Sequence, residues 1–112
     1  MRGATNSVSA NAKTSTVAIT IPGNTGTVKL MRSGQVCIAS VVQVGANTTG
    51  AWYGSVPKSL INTYSELRSA TDNSIKGGIA VYTDGRIEIS TNTANVTLYG
   101  SISYITDEGG GA

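Results

Sequence analysis

The sequence predicts an all-β domain: about eight short antiparallel strands in a sandwich or jelly roll. Three observations predict this class. Val, Ile and Thr dominate while Leu is scarce, and β-branched side chains pack well on strands. Glycine-containing turn signals recur at close spacing, with 14 glycines in 112 residues. Apolar and polar residues alternate in several short segments, which is the period of a half-buried strand. At this length, one hydrophobic core is expected.

The first hairpin is predicted in the segment 27–38, where side-chain alternation selects the loop. A two-residue loop at 33–34 would bring apolar and charged side chains onto one face. A three-residue loop at 32–34 instead pairs Met31 with Gln35 and separates the two kinds of side chain. The apolar residues that this register gathers on the inner face are Val28, Leu30, Val36 and Ile38.

A second hairpin repeats the pattern in the segment 79–89, around the loop 83–85. Its Asp84-Gly85 pair is a strong turn signal. The inner face of this hairpin collects the apolar residues Ile79, Val81, Ile87 and Ile89.

The remaining strands follow from alternation and from turn residues. Strands are predicted at 16–21, before Pro22-Gly23, at 35–44, at 51–56 and at 95–106, with a bend at Gly100. The segment 62–70 suits either a strand or one helical turn. The domain is therefore placed at 16–106, between a polar N-terminal linker at 1–15 and a flexible tail at 107–112.

The outer surface of the long strand 35–44 predicts that the chain forms an oligomer. If Val36 and Ile38 face the core, the alternate residues face outward and are also apolar, although an antiparallel sheet normally turns a polar face to water. Either a second layer of this chain or another copy must then cover them. We therefore predict an oligomer interface at Met31, Cys37, Ala39 and Val41.

Candidate ligand-binding side chains concentrate within about twenty residues, namely Trp52, Tyr53, Tyr64, Arg68, Asp72 and Asn73. Aromatic rings offer flat apolar faces to the C–H groups of a sugar, and planar polar side chains bind its hydroxyls. Each residue also has a structural interpretation. Trp52 fits a sandwich interior, which would turn Tyr53 outward; Asp72 and Asn73 fit a turn, and Arg68 fits a solvated surface.

Several function classes are disfavoured by what the sequence lacks. The eight basic residues are scattered, so no phosphate-binding patch for nucleic acid emerges. Histidine is absent and Cys37 is the single cysteine, which argues against a Ser-His nucleophile and a zinc cluster. Neither a phosphate loop nor a dinucleotide fingerprint occurs, so no cofactor is expected. Asp84 and Glu88 would lie about 13 Å apart on a strand, beyond the roughly 5 to 10 Å of glycosidase carboxylates. The pair Glu66 and Asp72 stays open. We expect no enzyme and, without a long apolar run, no membrane insertion.

Four segments in order carry a family resemblance: GTVKLMRSGQV at 26–36, WYGSVP at 52–57, YTDGRIEI at 82–89 and GSISYI at 100–105. Together they resemble the C-terminal receptor-binding head domains of bacteriophage tail fibres and baseplates. The resemblance implies an antiparallel jelly roll that forms a homotrimer on the virion and binds host cell-surface saccharide, without catalysis and usually without a metal. The polar segment 1–15 would then link the head to a fibre.

A structural role is the competing hypothesis. A head fibre, decoration protein or trimerisation module of a virion would use the apolar second face for assembly and would need no ligand. Binding to bacterial surfaces distinguishes the two hypotheses.

Overall fold

The computed structural model describes residues 13–23 and 25–108, which form eight antiparallel strands and no helix. All eight belong to one curled, half-barrel sheet with the order β1-β2-β3-β8-β5-β6-β7-β4. The all-β class and the number of strands are therefore confirmed. The strands are β1 (Lys13–Val17), β2 (Thr27–Ser33), β3 (Val36–Ala46), β4 (Gly50–Ser55), β5 (Thr63–Ser69), β6 (Ile75–Val81), β7 (Arg86–Thr91) and β8 (Val96–Ile105).

The curled sheet has two four-stranded halves around one core. The first half is β1-β2-β3-β8 and the second is β5-β6-β7-β4. They join where β5 pairs with β8 at only two positions, Arg68 opposite Tyr99 and Ser69 opposite Leu98. Inner side chains of both halves form one apolar cluster, so burial against the opposite half holds the sheet in its curl. The largest fully buried side chains are Leu67, Ile79, Ile87, Ile89 and Leu98.

The second hairpin forms as predicted between β6 and β7. The backbone N–H of Tyr82 donates to the carbonyl of Arg86 at 2.9 Å and closes the three-residue loop 83–85. The Asp84 carboxylate accepts a hydrogen bond from the Arg86 backbone N–H at 3.0 Å, which fixes the turn. All four predicted inner residues are buried.

The register predicted for the first hairpin is wrong. Ser33 pairs with Val36 and Met31 pairs with Ile38, which leaves a two-residue loop at 34–35. Because side chains alternate with a period of two, this shift turns every residue of the returning strand to the other face. Val36 and Ile38 are exposed.

The same shift corrects the predicted interface. Cys37, Ala39 and Val41 lie in the core of the single chain, and Met31 alone of the four predicted interface residues is exposed. The physical reason lies in β8, because Cys37 stands opposite Tyr104 and Ala39 stands opposite Ile102. Small side chains of β3 thus face large ones of β8, which fills the core without overpacking.

The ends of the predicted domain also shift. β1 begins at Lys13 and ends at Val17, earlier than the predicted strand 16–21, and the ambiguous segment 62–70 contains strand β5. Glu108 is tied to the domain, since its carbonyl accepts a hydrogen bond from Arg32 at 2.8 Å and its carboxylate accepts one from the Lys58 backbone N–H. The rest of the predicted linker and tail, residues 1–12 and 109–112, lies outside the described residues. Among the described ones, no helix could cross a membrane.

Candidate functional site

The six predicted ligand-binding residues occupy three places in the fold. Trp52 packs partly buried against the core from β4, as its structural interpretation favoured. Tyr53 and Tyr64 project from the outer face of the second half and are exposed. The other three, Arg68, Asp72 and Asn73, lie at and beside the turn between β5 and β6. The structure therefore brings only two of the six onto one candidate surface.

Tyr53 and Tyr64 belong to one row of side chains across the second half. Tyr53 on β4 is opposite Glu88 on β7, Glu88 is opposite Ala80 on β6, and Ala80 is opposite Tyr64 on β5. With strands about 4.8 Å apart, the two tyrosine Cα atoms are about 14 Å apart. Glu88 and the buried Ala80 lie between them in the row, so this outer surface has an exposed tyrosine at each end. We call it the tyrosine face.

A hydrogen-bonded carboxylate lies on the tyrosine face. The Tyr53 hydroxyl donates to Glu88 Oε2 at 3.0 Å, and the Tyr82 hydroxyl donates to Glu88 Oε1. These hydrogen bonds favour the protonated phenols, so they raise the pKa of both Tyr53 and Tyr82 above its ordinary value. The carboxylate of Glu88 thus fixes the orientation of two aromatic rings.

Arg86 stacks against the same two rings. Its guanidinium carbon is 4.4 Å from the centroid of the Tyr82 ring and 5.2 Å from that of Tyr53. These are cation–π distances, and the two interactions hold the guanidinium plane in place. Within residues 13–23 and 25–108, no hydrogen bond or ion pair of this guanidinium is found. Arg86 therefore presents its N–H donors to solvent in a fixed plane.

Tyr64 borders a shallow cleft of about 270 Å³ on the tyrosine face. Gly78 forms part of its floor, and a Cβ atom at this glycine would lie 2.5 Å from the Tyr64 hydroxyl. The missing side chain therefore lets the tyrosine ring lie close to the backbone. Ser90 and Asn92 also line the cleft, so it combines a flat aromatic wall with a hydroxyl and an amide.

The turn residues bind one another. The Asp72 carboxylate accepts hydrogen bonds from the Ser74 backbone N–H at 3.1 Å and from the Ser74 hydroxyl at 2.7 Å, which lowers the pKa of Asp72. Arg68 donates to the carbonyl of Asn73 at 2.9 Å, and the Asn73 side chain accepts from Tyr99. This geometry is that of turn formation, in agreement with the structural interpretation.

The predicted ligand-binding residues did not include Tyr82, Arg86 and Glu88 of the tyrosine face, nor Ser90 and Asn92 of its cleft. The sequence carries part of the signal, since Arg86 and Glu88 alternate with buried isoleucines in a strand that follows an Asp-Gly turn. The missing information is that β4 pairs with β7, which brings Tyr53 to Glu88.

Comparison with protein-family models, curated proteins and solved structures finds no match in any of the three sets. The resemblance to bacteriophage receptor-binding heads therefore stays a prediction. No cluster of three or more His, Cys, Asp or Glu side chains suited to a metal ion occurs in the part of the chain that the structure describes. The chemistry of the candidate site is that of tyrosine rings, one guanidinium, one carboxylate and small hydroxyl and amide groups.

Proposed function

We propose that this chain is a non-enzymatic binding domain that holds a saccharide on its tyrosine face. The observation that carries the proposal is the row from Tyr53 to Tyr64, with Arg86 and Glu88 held between aromatic rings. Flat rings, of which Tyr53 and Tyr82 are held by Glu88 and Arg86, with planar polar groups beside them, match the alternation of C–H faces and hydroxyls on a sugar.

Each group has a defined part in the proposed complex. Tyr53 and Tyr64 provide apolar surfaces for two sugar rings of one chain, at a spacing of about 14 Å. Arg86 donates to sugar oxygens, and Glu88 accepts from sugar hydroxyls with the lone pairs that its two tyrosine partners leave. In this proposal the site holds its ligand without transforming it.

The wider setting is proposed from the sequence. The resemblance supports a receptor-binding head of the jelly-roll class, carried as a homotrimer on a bacteriophage virion and acting outside the host cell. Single sugar sites bind in the millimolar to micromolar range, roughly −4 to −8 kcal/mol. Three sites on one particle would raise the effective affinity by about 10² to 10⁴ when the receptor is repetitive.

The test is binding of the purified chain to cell-wall polysaccharides from a broad panel of bacteria, measured by titration calorimetry and by pull-down with whole cells. Tyr53→Ala and Arg86→Gln should each weaken binding by about tenfold, which corresponds to roughly 1.4 kcal/mol. Arg68→Ala is the matched control, since this exposed arginine is bound to the turn and lies off the row. Circular dichroism verifies that each variant is folded.

Two results would overturn the saccharide proposal. Wild-type protein that binds no member of the panel would favour the structural role. Loss of binding in Arg68→Ala, with binding like wild type in Tyr53→Ala, would move the site to the turn between β5 and β6.

The structural alternative has its own supporting observation. The outer face of the first half exposes apolar side chains, among them Met31, Val36 and Ile38. A virion module whose task is assembly would need this surface and would leave the tyrosine face without a ligand.

A further inference from the structure

We infer that the shallow cleft beside Tyr64 is a subsite for the acetamido group of an N-acetylated sugar. The inference rests on the proposed saccharide binding and names the class of sugar that this part of the tyrosine face would take. Three features of the cleft carry it: an apolar wall, an amide donor and a hydroxyl acceptor. None of the side chains that line the cleft is charged, so an acidic substituent would lack the cationic partner that usually binds it.

The apolar wall of the cleft consists of the Tyr64 ring and the Ile75 side chain, which are both exposed. Ile75 takes this position through a register shift between β5 and β6. Arg68 pairs with Ile75, whereas an unshifted ladder would pair it with Lys76. The extra residue in β6 therefore places an apolar side chain where regular alternation would place a second cation beside Arg68.

Asn92 provides the amide donor. Its backbone N–H donates to the carbonyl of Lys76 at 3.0 Å, which fixes the residue against β6. The Thr93 hydroxyl donates to Asn92 Oδ1 at 2.8 Å, so the oxygen of this amide is used within the chain. Nothing among the described residues accepts a hydrogen bond from the Asn92 NH₂ group. Its two N–H donors are therefore available to a carbonyl oxygen of a ligand.

Ser90 provides the hydroxyl acceptor. This hydroxyl donates to the carbonyl of Gly78 at 3.5 Å, and its oxygen lone pairs can accept from a ligand. Thr91 also lines the cleft, but its hydroxyl donates to the Lys76 carbonyl and accepts from the Thr93 backbone N–H, both at 3.1 Å. The side chains that can bind a polar group of a ligand through their hydroxyl or amide are thus Ser90 and Asn92.

An acetamido group matches all three features. Its C=O and N–H point in opposite directions, so it can accept from the NH₂ group of Asn92 and donate to the hydroxyl of Ser90. Its methyl group then packs against the apolar wall, which a sugar hydroxyl in the same place would leave uncovered. The volume of about 270 Å³ lies just below the roughly 300 to 1,000 Å³ of pockets for drug-sized ligands, which suits one sugar unit.

The test compares two soluble probes, chitotetraose and cellotetraose, which share ring and linkage but carry an acetamido group or a hydroxyl on each sugar. Titration calorimetry with wild-type chain should find a Kd at least about tenfold lower for chitotetraose. Asn92→Asp removes the N–H donors, keeps an oxygen that accepts from Thr93 and should bring the ratio of the two Kd values towards one.

Asn62→Asp is the matched control. Asn62 is also an exposed asparagine whose side-chain oxygen accepts a hydrogen bond, here from the Thr83 backbone N–H at 3.0 Å, and it lies outside the cleft. The control should keep the wild-type ratio of the two Kd values. Should Asn92→Asp fail to fold, as judged by circular dichroism, Ser90→Ala removes the acceptor and should change the ratio in the same direction.

The outcomes separate the inference from the proposed function. Wild-type chain that binds neither probe and no polysaccharide of the bacterial panel overturns the saccharide proposal and this inference together. Wild-type chain that binds a panel polysaccharide but does not prefer chitotetraose overturns the inference alone. An unchanged preference in Asn92→Asp, or an equal loss of preference in Asn62→Asp, overturns the assignment of the acetamido group to the cleft.

Discussion

Two adjacent glycines on β6 should differ strongly in how much the same substitution to alanine destabilises the protein. An added Cβ at Gly77 would lie 2.1 Å from the backbone carbonyl oxygen of Ser90 on β7, whereas an added Cβ at Gly78 would lie 2.5 Å from the side-chain hydroxyl of Tyr64. A backbone atom in a paired strand can move only if the ladder separates. An exposed tyrosine can rotate away, and Tyr64 is 67% exposed.

These contacts set the expected magnitudes. Gly77→Ala should lower the free energy of unfolding by about 3 kcal/mol or more, since the clash forces β6 and β7 apart. For a domain of this size, that loss lowers Tm by at least about 12 °C. Gly78→Ala should change the free energy of unfolding by less than about 1 kcal/mol, because reduced freedom of the unfolded chain offsets the displaced ring.

Chemical denaturation followed by tryptophan fluorescence and circular dichroism measures both values. Gly78→Ala should also weaken saccharide binding, because Tyr64 no longer lies over the floor of the cleft, and this loss should occur in a fully folded protein. Equal destabilisation by the two substitutions would refute the distinction between a backbone clash and a side-chain clash. Unchanged saccharide binding in Gly78→Ala would remove Tyr64 from the proposed site.

Three further predictions concern ionisable groups. Burial raises the pKa of the Cys37 thiol, so thiol reagents should label it only as fast as the protein unfolds; rapid labelling of native protein would contradict its burial. Burial also raises the pKa of Tyr104. The contribution of Tyr104 to folding stability is therefore complete at a pH below the ordinary tyrosine pKa of about 10, and it is lost as the pH rises through the higher pKa of the folded state. At neutral pH, urea titrations should find the free energy of unfolding of Tyr104→Phe about 1 kcal/mol below that of wild type. This difference should become smaller in alkali, and a larger difference there would contradict the prediction. Glu88→Gln should lower the pKa of Tyr53 and Tyr82 towards the ordinary value, and an unchanged phenolate absorbance titration would exclude the hydrogen-bonded carboxylate.

The two hairpins show what can be predicted from local sequence. Around the Asp84-Gly85 turn, the preferred turn residues and the alternation of side chains agree on one register, and that register forms. In the first hairpin both faces of β3 are apolar, so the preference of alternation for the loop 32–34 does not determine the register that forms. The choice depends on which face of β3 fits β8, where Cys37 meets Tyr104 and Ala39 meets Ile102. That contact joins residues far apart in the sequence.

In the candidate site, too, local sequence predicts some features and long-range strand pairing determines the others. Alternation within β4 correctly separates Trp52, which packs inward, from Tyr53, which projects outward. Proximity in sequence wrongly grouped Tyr53 with Arg68, because a sheet gathers residues by strand order. β4 leaves β3 and pairs with β7 at the far edge of the second half, and this pairing alone places Tyr53 beside Glu88.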